Sequence, residues 1–167
     1  ESLQRLLQHI SPQDRLSLVI FNEDVTHVVE AASLSDTESL RQLIRELAPR
    51  GGTNLAAGLQ QAVSLAMSDA AGHQSQRRLV LVTDSQPAMP AATRSGVEQV
   101  LAAAGGTGVR LDVLDLSQRG QTDVTLETWA AELRGGVRAI ADSRQMTRWL
   151  FEALSGREAT IAQDAKL

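Results

Sequence analysis

The sequence predicts a three-layer α/β/α domain, doubly wound around a mainly parallel sheet with one antiparallel edge hairpin. Three observations carry this. From residue 54 onward, helical and strand-like patterns alternate, which makes the sheet mainly parallel with helices on both faces. Leu79-Val80-Leu81-Val82 is a continuous apolar run, as in a strand covered on both faces. Ahead of these, Arg15–Phe21 and Val25–Ala31 are strand-like runs joined by the short turn Asn22-Glu23-Asp24, the one hairpin in the chain.

The elements follow in order. Leu3, Leu6, Leu7 and Ile10 share a helical face, and Pro12 ends that helix. After the hairpin, Ser35-Asp36-Thr37-Glu38 is a capping box that opens a helix through Leu47. Pro49-Arg50-Gly51-Gly52 breaks it. Asn54–Ala71 is a long helix with Leu55, Leu59, Ala62, Val63 and Ala66 inward, and Gly72–Gln76 is a polar loop. Beyond the buried strand, Arg94–Ala104 is a helix closed by Gly105-Gly106. Val109–Leu116 is a strand, Asp123–Leu133 a short helix and Val137–Ile140 a strand. Asp142 caps a helix through Leu154, and Ile161–Leu167 reads as a further strand.

Composition removes several function classes. The chain has 167 residues, enough for one domain with a sizeable core, and 43% of them are hydrophobic. Aromatics make up 2%, with no Tyr, which argues against base-stacking platforms and aromatic-lined ligand grooves. The net charge is −4 and no basic run is present, so a phosphate-backbone footprint on nucleic acid is not expected. With no Cys, thiol catalysis and Cys-zinc sites are excluded. No apolar run approaches the ~20 residues that span a bilayer. The helical pattern at Glu1 and the strand-like pattern at Leu167 read as a piece of a longer polypeptide.

The stretch Arg50-Gly51-Gly52-Thr53-Asn54 carries the most chemistry. It lacks the Gly-Lys-Ser/Thr of a phosphate loop, and it joins two helices, unlike a dinucleotide fingerprint. Thr53 either caps the following helix or offers its hydroxyl to a metal ion. Asp84 lies just past the buried strand, where open α/β sheets place their ligands; its alternative is a local turn before Pro87. A hydroxyl and a carboxylate are hard oxygen donors suited to Mg²⁺, Mn²⁺ or Ca²⁺, although two are too few to bind an ion. Asp112 and Asp115 read as a polar strand face or strand terminus, Trp129 and Trp149 as packing residues, and Arg144 and Arg148 as a solvated pair. No Gly-x-Ser-x-Gly elbow exists, and His9, His27 and His73 sit beside no nucleophile, so the chain is not expected to be an enzyme.

Together these residues resemble a von Willebrand factor type A domain. Asp14–Asn22 is similar to the family's "DR-x-x-L-V-x-F" strand, Arg50–Leu59 to its "G-G-T-N-L-x-x-G-L" metal loop, and Arg78–Asp84 to its "R-x-V-L-L-T-D-G" strand. Thr122–Glu127 with Leu133–Gly136, and Ala159–Leu167, are similar to stretches of bacterial cell-envelope proteins, often lipoproteins. That likeness implies a domain over residues 1–158, a junction to a following region at 159–167, and a bacterial cell-envelope or extracellular location.

The resemblance implies a Rossmann-like sheet and a metal-ion-dependent adhesion site. In the family, a "D-x-S-x-S" motif after the first strand, the threonine matching Thr53 and the aspartate matching Asp84 hold a divalent cation. An Asp or Glu carboxylate of a protein partner completes the coordination, so binding is a metal bridge and no bond is broken. This chain departs twice. The central first strand with its "D-x-S-x-S" is lacking, and Ser85 replaces the Gly after the aspartate. Two expectations follow. The 167-residue segment alone does not bind a cation tightly. It is also either poorly stable or completed by a strand from outside residues 1–78, such as the tail at 161–167 or another chain. The alternative reading is a metal-free structural module of a larger envelope protein, with Thr53 as a cap and Asp84 closing a turn.

Overall fold

The computed structural model describes residues 15–33, 38, 42, 45, 52–68, 77–84, 90–117 and 123–154. In chain order the elements are β1 (Arg15–Phe21), β2 (Val25–Ser33), α1 (Leu55–Ser68), β3 (Arg77–Thr83) and α2 (Ala91–Ala104). They continue as β4 (Val109–Asp115), α3 (Val124–Glu132), β5 (Val137–Ala139) and α4 (Ser143–Leu154). The expected helix over 3–10 and strand over 161–167 lie outside the described residues. Of the capping-box helix, Glu38, Gln42 and Arg45 are described, and all three are helical.

β3, β4 and β5 form a parallel sheet in that order, with Arg77 opposite Val109, Thr83 opposite Asp115 and Asp115 opposite Ala139. Strand alternation then sends side chains to two faces. On one face Leu79, Leu81, Leu111 and Val113 pack with Leu55 and Leu59 of α1, Val97 and Leu101 of α2, and Leu126 and Trp129 of α3. On the other, Val80, Val82 and Leu114 pack with Met146, Trp149, Leu150 and Phe151 of α4. Each fully buried Leu contributes about 1.5–3 kcal/mol, so the larger first cluster dominates the core. The apolar run at 79–82 is therefore covered on both faces, and the three-layer α/β/α architecture is present.

β1 and β2 pair antiparallel as a separate two-stranded sheet. Among the described residues, 15–21 and 77–83 do not pair with each other; α1 joins the two sheets by packing on both. The β1–β2 register is broken between Leu16 and Leu18 and again between Ile20 and Phe21. Such irregularities bend a strand and re-aim its side chains. Phe21, at the second irregularity, packs against the larger core cluster.

Local signals explain the remaining boundaries. Asp123 caps α3, its Oδ1 accepting from the Thr125 amide at 2.7 Å. Asp142 caps α4 by accepting from Arg144 and Gln145, both at 2.8 Å. α2 starts three residues before the expected Arg94. Pro90 supplies a preset φ of −54° there, and its carbonyl accepts from Arg94 at 3.1 Å. Between α3 and β5 the backbone presses onto β4: a Cβ on Gly135 would collide with the Leu111 carbonyl. The Val113 amide donates to the Gly136 carbonyl at 2.9 Å.

Candidate functional site

The cap of α1 is Asn54, not Thr53. Asn54 Oδ1 accepts from the Ala57 amide at 3.1 Å, and its carbonyl accepts from Gly58 at 3.2 Å. Both residue types cap helices well, and Asn stands slightly ahead of Thr. With that role filled by its neighbour, Thr53 is an exposed residue outside any helix or strand, one position before the cap.

The hairpin turn grips this loop. Asn22 Oδ1 accepts from the Asp24 amide at 3.0 Å and its amide donates to the Asp24 carbonyl at 2.9 Å, which closes the turn on itself. Its carbonyl accepts from the Asn54 amide. Glu23 Oε1 accepts from the Gly52 amide at 3.3 Å. One residue earlier, the Phe21 ring lies against Gly58, where a Cβ would overlap the ring.

An open cleft of about 390 Å³ results, lined by Glu23, Thr53, Asn54, Ala56, Ala92 and Thr93. Its floor is the crossing of α1 and α2, where a Cβ on Gly96 would stand 3.1 Å from the Ala56 Cβ. The first turn of α2 forms one wall, so the cleft lies at the end of the sheet from which α2 departs. Asp84 is exposed at the C-terminal end of β3, and it is not among the lining residues. The structure thus places Thr53 in the cleft and Asp84 at the strand end that leads to α2. Their donor types suit a hard cation. Among the described residues, no three His, Asp or Glu side chains converge to hold a metal. An ion there needs further oxygens, from elsewhere in the protein, from water or from a partner.

The other candidates have structural roles. Asp112 pairs with Arg110 Nε at 3.2 Å and accepts from the Gly136 amide at 3.2 Å, which ties β4 to the segment before β5. Asp115 is buried at the end of β4 and accepts from the Ser117 amide at 2.9 Å. Trp129 is core. Trp149 is half-buried, with the guanidinium groups of Arg138 and Arg148 4.9 and 5.7 Å from the ring centre. Arg148 also pairs with Glu152 at 2.8 Å. Sequence reasoning missed Asn22 and Glu23 as parts of the loop's support. Their signal was a polar turn at the end of a strand, a position that α/β sheets use for sites.

A profile of the von Willebrand factor type A domain matches residues 1–86, just over half of the 167. The chain belongs to the von Willebrand factor type A domain family. Solved structures share the fold of this von Willebrand A domain. Proximal thread matrix protein 1 from the mussel byssus, in its second crystal form, is 17% identical with a TM-score of 0.65, over 92% of this chain and 40% of its own. The same mussel protein with a zinc-occupied MIDAS motif gives 17% identity and a TM-score of 0.64, over 92% and 41%. The N-terminal domain of TFIIH p34 gives 17% and 0.55, over 90% and 80%. The chain spans about 40% of the length of the mussel protein. No curated protein matches the chain. No described helix is long and apolar enough to cross a membrane.

Proposed function

We propose that this von Willebrand A domain is a non-catalytic protein-binding module whose full-length protein holds a divalent cation, with Thr53 and Asp84 among the ligands. The observation that carries the reading is the capping of α1 by Asn54, which leaves Thr53 an exposed residue lining the cleft. A cap at Thr53 was the main structural use for that side chain, and it is already filled by another residue. The mussel relative with zinc at its MIDAS motif supports the same chemistry in this family. Mg²⁺, Mn²⁺ or Ca²⁺ suits the hard oxygen donors, and an Asp or Glu carboxylate of a protein partner completes the shell. The resemblance of the later segments supports a bacterial cell-envelope or extracellular setting. It also supports a domain over 1–158 with a junction at 159–167.

Calorimetric titration of the full-length protein with Mg²⁺ tests this. Saturable binding is expected, and the 167-residue segment alone binds more weakly than micromolar. Absence of binding by the full-length protein favours the metal-free scaffold, the reading that Ser85 in place of Gly supports.

A further inference from the structure

We infer that the β1 end and hairpin turn, Phe21-Asn22-Glu23, form a clamp that positions Thr53, with Glu23 as its polar arm. This rests on the reading of Thr53 as a cation ligand.

Three consecutive residues engage three points of one segment. The Phe21 ring sits on Gly58, the Asn22 carbonyl takes the Asn54 amide, and Glu23 Oε1 takes the Gly52 amide. Gly52 and Asn54 flank Thr53, so the backbone is pinned on both sides of it. The arrangement answers a physical need. Gly52 follows another glycine and has no side chain to restrict it, so the loop loses much conformational freedom when ordered. Thr53 is exposed, and among the described residues its side chain makes no hydrogen bond that would hold it. Its placement therefore depends on its neighbours. A ligand that is held before the ion arrives spares binding that ordering cost.

Glu23 also lines the cleft, so its carboxylate has a second conceivable role as a charge beside the ion. The Glu23→Gln variant separates the two. A glutamine carbonyl still accepts from the Gly52 amide but carries no charge. If Glu23 positions, Gln restores what Ala loses.

The test uses the full-length protein and its E23A, E23Q and T53A variants, with amide exchange at Gly52 and Mn²⁺ titration followed by electron paramagnetic resonance. E23A is expected to accelerate Gly52 exchange and weaken Mn²⁺ binding by up to roughly tenfold, the low end of what losing a direct hydrogen-bond partner of a metal ligand costs. E23Q is expected to match wild type in both. Unchanged Gly52 exchange in E23A overturns the clamp, and so does E23Q behaving as E23A. Exchange at Gly52 needs no metal, so the two ideas fail differently. If E23A frees Gly52 while T53A leaves Mn²⁺ affinity intact, the metal reading falls and the clamp remains as a backbone device.

Discussion

The Phe21 ring fills the space where a Cβ on Gly58 would stand. This contact joins the end of β1 to the first turns of α1, and through α1 the hairpin is tied to the parallel sheet. Beside it, the hydrogen bonds from Asn54 and Gly52 to the turn hold the loop that carries Thr53.

Gly58→Ala therefore lowers stability. The overlap is with the body of the ring, so the strand end must shift. A loss of about 1–3 kcal/mol is expected, the usual range for overpacking a core. Urea unfolding reads it as a lower midpoint at unchanged slope. A midpoint equal to wild type contradicts the packing described.

Gly135→Ala is expected to cost more, about 3 kcal/mol or above, since overpacking against backbone leaves no rotamer to yield. The added methyl meets the Leu111 carbonyl in the middle of β4. Its expected signature is loss of soluble, cooperatively unfolding protein. Wild-type melting behaviour in this variant would be inconsistent with the close approach of 135 to β4.

Asn54→Ala and Thr53→Ala separate the two uses of neighbouring residues. Loss of the Asn54 cap costs about 1 kcal/mol. Thr53→Ala, at an exposed position, stays within about 0.5 kcal/mol of wild type. Thermal unfolding of both variants decides. The reverse order would make Thr53 the cap and remove the main support for the metal reading.

Much of the fold was legible because its signals are local. The both-sided apolar run at 79–82 announced an inner strand, Asp123 and Asp142 announced helix starts, and the hairpin turn announced itself by Asn22-Glu23-Asp24. The cap of α1 was harder: Thr53 and Asn54 are adjacent and both suited, and the Asn54 amide is held by the Asn22 carbonyl, 32 residues away in sequence. Likewise α2 starts early, directly after Pro90, a cap position whose carbonyl accepts from the Arg94 amide. The clamp itself could not be read in advance. It rests on tertiary contacts, Phe21 with Gly58 and the turn with Gly52 and Asn54, that no periodicity encodes.

The central claim is that Thr53 and Asp84 contribute to a divalent cation site, and the most direct measurement is the Mn²⁺ affinity of the full-length protein with T53A and D84A alongside. Each variant is predicted to bind at least about tenfold more weakly, a loss of ~1.4 kcal/mol or more, with stability unchanged. Undiminished Mn²⁺ affinity in both variants would contradict the site.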